Sequence, residues 1–201
     1  MQIFLKTDRL LLRRLTESDV DNLCDLDSDP EVMRFLTGGE PTPREEIRDV
    51  ALPRILSLYE WPGEFGYWGA VERLTGNFLG WFCITPPRSH RADDPAADDG
   101  ELGYRLRRSA WGKGYATEAS RALIRQAFTE SGLHRVHAQT MAVNTRSRRV
   151  MERAGLTCRR TFHEEFDDPI SGAEHGEVEY ALTRAEWELQ DDANPTPPAQ
   201  R

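Results

Sequence analysis

Residues 101–129 read ELGYRLRRSAWGKGYATEASRALIRQAFT. The first six, Glu101 to Leu106, form a strand pattern, and Thr117 to Thr129 sets Ala119, Ala122, Leu123 and Ala127 at helical spacing, with Ile124 and Phe128 widening the stripe. Between them, Trp111-Gly112-Lys113-Gly114-Tyr115-Ala116-Thr117 places glycines two apart and a small residue two beyond them. Such a turn bends sharply and exposes successive backbone N–H groups, and the positive end of the following helix strengthens their hold on an anion. The spacing suits a pyrophosphate, with Lys113 as a point charge on a flexible stem. It equally suits a plain tight turn in which Gly112 and Gly114 only supply unusual backbone angles. A Walker A loop is excluded because its Gly-x-x-x-x-Gly-Lys-Ser/Thr spacing is absent, and the G-x-G-x-x-G fingerprint because position 117 is Thr.

Upstream, Arg9 to Arg14 is a strand pattern, and Thr16-Glu17-Ser18-Asp19 offers N-caps for a helix reaching about Leu26. Pro30 permits a helical turn through Glu31 to Phe35. Thr42-Pro43-Arg44-Glu45 has the cap, N1 proline and acidic first turn that predict a helix to about Tyr59. Tyr67 to Val71 and Phe78 to Ile84 predict an antiparallel hairpin around Gly76. Pro86 to Gly100, rich in Asp and Pro, reads as a mobile surface loop. Downstream, His134 to Met141 is a strand, Asn144 caps a helix to about Ala154, and Gly155 ends it. Strands near Thr157 to Glu165 and Glu177 to Thr183 follow, then a Thr183-x-x-Glu186 capping box for a last turn through Trp187. The organisation is one domain over residues 1–190, with a disordered tail from Asp191 to Arg201.

The 201 residues carry a net charge of −8, which argues against nucleic acid as a partner. Cys24, Cys83 and Cys158 are odd in number and widely spaced, so neither a disulfide framework nor a zinc site is expected. Charges at Lys6, Asp8 and Arg9 break the opening apolar run, and the longest apolar stretch, Phe78 to Ile84, is far short of a membrane span. A cytoplasmic protein without membrane contact is the expectation.

Taken together, Glu101 to Leu106, Trp111 to Ala119, Asn144-x-x-Ser147, Gly155-Leu156, Thr7-x-Arg9-Leu10-x-Leu12-Arg13 and Asp29-Pro30-Glu31-Val32-Met33 resemble the GNAT acetyltransferase superfamily, specifically its RimJ/RimL-like branch. The resemblance implies an α/β (α+β) GNAT fold: a mixed, mostly antiparallel twisted sheet of about seven strands flanked by helices, with the fourth and fifth splayed apart. It implies acetyl-coenzyme A as co-substrate, with pantetheine lying along Gly103, Tyr104, Arg105 and Leu106. The N–H groups from Gly112 to Thr117 would hold the pyrophosphate, with Trp111, Asn144 and Ser147 completing the binding set. The family's Gln/Arg-x-x-Gly-x-Gly/Ala is here Trp111-x-x-Gly114-x-Ala116. The implied partners are acetyl-coenzyme A and an amine acceptor, a peptide N-terminus or a small molecule, with a homodimer left open.

Acetyl transfer needs a neutral amine, yet near pH 7.4 only about one lysine side chain in a thousand is neutral, against about a third of α-amino groups. Glu101, opening the coenzyme-binding strand, is the candidate base; its alternative is a solvated carboxylate closing an acidic loop. Tyr104 is either a proton donor lining the pocket or a half-buried strand residue. Ser147, one turn beyond Asn144, is the candidate acid for the departing thiolate, by analogy with related enzymes, or a helix-stabilising hydroxyl beside an N-cap. The Tyr that many GNAT enzymes carry four residues before Gly155 is Met151 here, which cannot donate a proton. Two alternatives stay open: a catalytically idle coenzyme A-binding module, which the missing Tyr favours, and an acyltransferase of the same fold using a longer acyl group. Cys83 and Cys158 lack an adjacent His, which disfavours a covalent acetyl-cysteine and favours direct attack. His175, Glu177 and Glu179 are expected on one strand face, as a solvated surface or an attractor of cationic amines, with no metal.

Overall fold

The computed structural model describes residues 2–60, 65–86 and 98–193. Among them, eight strands form one sheet: β1 (Ile3–Lys6), β2 (Leu10–Arg14), β3 (Gly66–Glu72), β4 (Phe78–Thr85), β5 (Asp99–Leu106), β6 (Arg135–Met141), β7 (Thr157–Phe162) and β8 (Glu177–Thr183). Their spatial order is β1-β2-β3-β4-β5-β6-β8-β7. Every pairing is antiparallel except β5 with β6, which is parallel. The sheet is therefore mixed and mostly antiparallel, as the resemblance implies, with β1 as the strand beyond seven. Four residues are too few to show a period in sequence. The hairpin is fixed instead by packing, for the Phe4 ring stacks on Trp68 at 4.2 Å.

The helices are α1 (Val20–Asp27), α2 (Pro30–Met33), α3 (Arg44–Glu46), α4 (Leu52–Ser57), α5 (Tyr115–Thr129), α6 (Thr145–Arg153) and α7 (Arg184–Ala193). The long helix expected to start at Thr42 is a composite. Between α3 and α4, Ile47–Ala51 winds as a π-helix, and the Leu52 N–H reaches back to the Ile47 carbonyl. Pro53 has no N–H to donate to the carbonyl four residues back, which favours this wider winding. Thr42 does not cap the helix; its hydroxyl donates to Asp27 Oδ2 at 3.0 Å, and Pro43 occupies the N-cap position. Asp29, before Pro30, caps α2 through the Glu31 N–H.

The capping box at Thr183 and Glu186 forms, with the Thr183 N–H on Glu186 Oε2 at 2.8 Å. Past it, α7 runs beyond the expected last turn at Trp187 and takes in residues 191–193, the start of the segment read as a tail; 194–201 lie outside the described residues. So does most of the loop expected after Pro86, and β5 begins at Asp99, two residues earlier than read.

The main core lies on one face of the sheet. There Ala119, Leu123, Ile124, Ala127 and Phe128 of α5 pack against Leu102, Leu106, Val136 and Ala138. A smaller cluster on the other side joins Leu15, Leu23, Ile47, Leu52 and Phe78. Burying each large aliphatic or aromatic side chain contributes about 1.5–3 kcal/mol, so α5 is the main fastening of the βα unit.

A bulge near Leu79 marks where β4 closes on β5: Ala70 pairs with Gly80 and Val71 with Phe78. Gly80 has φ +140°, and a Cβ there would lie 2.1 Å from the Arg105 carbonyl oxygen. Gly80→Ala should lower stability by about 2–3 kcal/mol, through strain and displacement of β5; urea denaturation checks it, and an unchanged midpoint would refute the close approach.

Candidate functional site

The pairing of β5 with β6 stops early. It comprises Asp99 with Arg135, Gly100 with Val136 and Glu101 with His137. From Leu102 to Leu106, β5 remains paired to β4 alone, while β6 continues beside β8. The two strands therefore part, and the edge of Gly103, Tyr104, Arg105 and Leu106 faces no strand. In a count beginning at β2 these are the fourth and fifth strands, where the splay is expected. Tyr104 spans the gap: its hydroxyl donates to the Ser147 carbonyl at 3.1 Å and lies 2.9 Å from Ser147 Oγ. Burial pushes this phenol well above its ordinary pKa, so it stays protonated throughout the neutral range.

At the far end of β5 sits the glycine turn. Gly112 and Gly114 have φ +73° and +84°, the left-handed region open to glycine, and a Cβ on Gly112 would meet open space. α5 starts at Tyr115, two residues before the apolar pattern suggests, and Gly114 makes no side-chain cap. Its first closing bond runs from the Glu118 N–H to the Gly114 carbonyl. Among the described residues, the N–H groups from Gly112 to Thr117 meet no protein acceptor. They point to no carbonyl and remain available to an anion at the helix start.

The side chains around the turn are occupied elsewhere. Trp111 Nε1 donates to the Leu106 carbonyl at 2.8 Å, and the Arg146 guanidinium lies 5.0 Å from the Trp111 ring centroid. The Tyr115 hydroxyl donates to Glu72, and Lys113 is exposed. Arg105 turns to the opposite face, bound to Asp27 Oδ1 at 2.6 Å, so only its main chain belongs to the open edge. Asn144 caps α6 through the Ser147 N–H at 3.2 Å and gives its amide hydrogen to Thr140 Oγ1 at 3.0 Å. Both ends of that amide are engaged. Ala116 and Thr117 lie half-buried in the first turn of α5.

Sequence reasoning missed the function of Arg9. Its Nε pairs with Glu118 Oε2 at 2.6 Å, its NH1 donates to the Lys113 carbonyl at 2.8 Å, and it lies over the Tyr115 ring at 4.5 Å. Thr7 Oγ1 adds a 2.6 Å bond to Glu118, and these partners hold the Glu118 carboxyl below its usual range against the opposing effect of burial. The Thr7-x-Arg9 motif was the signal. It is the strap that fixes the turn's shape.

On the sheet face opposite α5, Glu101 is half-buried beside His137, with Tyr67, Trp81 and Cys83 nearby on β3 and β4. A Cβ on Gly103 would lie 2.8 Å from Cys83 Sγ, so glycine keeps this surface low. Burial, and then the charge of Glu101, push the Cys83 thiol up to about 12. Trp68, on the same strand as Tyr67, belongs to the main core. The acidic run near β8 also divides. Glu179 is only 7% exposed and is clamped by Arg135 at 2.5 Å and Arg160 at 2.8 Å, so its charge is neutralised and does not attract an acceptor. Those arginines hold its pKa below the usual range even though burial opposes them. His175 sits in a short helical turn before the strand, not on the face of Glu177 and Glu179. In the segment between β7 and β8, an open groove of about 640 Å³ is lined by Glu164, Glu165, Asp167 and Glu174 among others.

Residues 9–157 match the family model described as an acetyltransferase (GNAT) domain. A relative in Aspergillus fumigatus, FsC-acetyl coenzyme A-N(2)-transacetylase, is 39% identical over 184 residues, covering 91% of this chain and 77% of the relative. An uncharacterised N-acetyltransferase, p20 of Bacillus licheniformis, is 34% identical over 146 residues, covering 71% and 76% respectively. The solved structure of RimL, a ribosomal L7/L12 alpha-N-protein acetyltransferase in complex with coenzyme A, superposes with a TM-score of 0.74 at 19% identity, covering 90% of this chain and 98% of its own. At that identity the likeness establishes the fold.

Cys83 is 4% exposed, whereas Cys158 is exposed. In native protein at pH 7.5 a maleimide should label Cys158 and leave Cys83 unmodified until denaturant is added; peptide mass mapping reads the outcome, and rapid native labelling of Cys83 would contradict its burial.

Proposed function

This chain belongs to the GNAT acetyltransferase family, and from that premise we propose that it moves the acetyl group of acetyl-coenzyme A to a primary amine, by direct attack in a ternary complex. The observation that carries the reading is the run of unpartnered N–H groups from Gly112 to Thr117, set at the end of an unpaired strand edge. The donors fit a diphosphate, and the free edge of Gly103 to Leu106 fits an amide-containing arm that bonds as a strand does. Open space beside Gly112 leaves room for phosphate oxygens. Acetyl-coenzyme A supplies an acyl carbon activated as a thioester.

The chain's own residues do the rest. The N–H groups and the α5 dipole bind the phosphates, and Arg9 keeps the turn from relaxing. Glu101, on the face opposite the main core, takes a proton from the acceptor directly or through a water. Ser147 Oγ, backed by the Tyr104 hydroxyl, delivers a proton to the sulfur that leaves. Met151, which stands where many relatives have a tyrosine, is 2% exposed and serves the core, so this hydroxyl pair takes over the acid's part. That argues against an idle binding module. The buried Cys83 thiol, un-ionised at neutral pH, speaks against an acyl-enzyme.

The acidic groove of the β7–β8 segment favours a cationic acceptor. The name of the Aspergillus fumigatus relative, which specifies transfer at N(2), supports nitrogen as the acceptor atom. The strap made by Thr7 and Arg9 supports the RimJ/RimL-like branch, and three free cysteines suit a reducing cytoplasm.

Gly114→Asp, which adds bulk and negative charge at the cradle, should abolish acetyl-coenzyme A binding by calorimetry; unchanged affinity would remove the cradle from the reading. Glu101→Gln should leave that affinity intact and lower kcat/KM toward the best amine of a panel by about a hundredfold. The panel comprises spermine, kanamycin, alanine methyl ester and a short peptide with a free N-terminus, followed by thiol release. Absence of turnover with every amine would sink the transferase reading.

A further inference from the structure

We propose that His137 is a positioning residue for the reaction, the second station through which the proton taken up by Glu101 leaves the site. The inference rests on the acetyltransferase reading and deepens it.

The geometry begins with register. His137 pairs with Glu101 in the last rung before β5 and β6 part. Directly opposed residues of adjacent strands share a face, with backbones about 4.8 Å apart. Val136 and Ala138 lie in the core under α5, so alternation sends His137 to the other face, the face of Glu101. His137 is 9% exposed, and its Nδ1 is buried without a hydrogen-bond partner among the described residues. A buried ring nitrogen left unpaired has lost its hydration without regaining a partner. Such an atom beside a carboxylate at the root of a cleft is placed to exchange hydrogen bonds with that carboxylate or a water.

The charged and titratable groups that face it are Glu101, Asp99, Arg135 and Glu179. Arg135 is tied to both Asp99 and Glu179, and Arg160 to Glu179, which leaves Glu101 as the carboxylate without an ion pair in this set. Burial outweighs the pull of Glu101 and lowers the imidazole's pKa, so the ring rests neutral and able to receive a proton.

Proton balance gives such a route its use. An ammonium acceptor gives up two protons on becoming an amide, as the C–N bond forms and the C–S bond breaks. One ends on the sulfur, through the Ser147 hydroxyl. The other goes to Glu101, which hands it on as the C–N bond forms. His137 takes it and passes it to solvent, returning to neutral.

The test compares His137→Asn with wild type in acetyl transfer to the best amine of the panel above, across pH 5.5–9, alongside melting temperature. Because the amine is common to both, its own titration cancels. The wild-type kcat/KM should carry an acidic limb coinciding with the His137 pKa measured by NMR in the folded protein. His137→Asn should lose that limb and about tenfold or more in kcat/KM, while acetyl-coenzyme A affinity is kept, and imidazole added to His137→Gly should restore part of the rate. An Asn variant with the wild-type profile and rate means that Nδ1 merely holds a structural water, and overturns the proposal. If the variants unfold, the wild type decides: an acidic limb displaced from the NMR pKa overturns it as well. A wild type silent toward every amine would instead sink the acetyltransferase reading itself.

Discussion

The site exists because β5 and β6 refuse to pair beyond Glu101 and His137. Sheets gain from closing their ladders, and a main-chain group left without a partner in a buried place costs about 1–3 kcal/mol. Here the ladder is kept open by side chains: Tyr104 reaches into the gap and fastens to Ser147 on α6, while β6 turns its other edge to β8. The α5 core holds both strands firmly on one side, so the opening is a fixed wedge. The open edge of Gly103 to Leu106, the Tyr104–Ser147 hydroxyl pair and the place of Glu101 at the wedge's root are all consequences of that one interruption.

Much of this was legible because it is local. The apolar spacing of α5, the glycines before it, the Asn144 cap and the bounds of β8 depend on residues within a few positions of one another, and the structure returns them almost unchanged. The illegible parts depend on distant partners. β1 is too short to show a period and is held by Phe4 on Trp68. Thr42 looks like a cap until Asp27, brought close by the fold, captures its hydroxyl. The carboxylates of β8 read as an exposed acidic face, because nothing in that run reveals that β6 and β7 deliver Arg135 and Arg160 to Glu179. His137 likewise reads as one letter in a strand until the register sets it across from Glu101.

The same ion pairs explain why the net charge of −8 says little about the local field. Arg9, Arg13, Arg105 and Arg135 each meet a carboxylate at 2.6 or 2.7 Å, as internal ties. Pairs that are mostly buried are specified by geometry more than they add to stability. Their effect is to position the elements around the wedge and, among the carboxylates facing His137, to leave Glu101 without an ion pair.

The strap from the first hairpin carries a consequence for how the molecule is assembled. Thr7 and Arg9 reach partners 104 to 111 positions further along the chain. The cradle therefore cannot mature while the middle of the polypeptide is being made; its amides take their final bearing only when the earliest strands and the α5 region have met. A ligand that prefers the finished cradle then favours the whole closed chain by mass action. Occupation of the cradle is thereby tied to closure of the first hairpin across a long stretch of intervening chain.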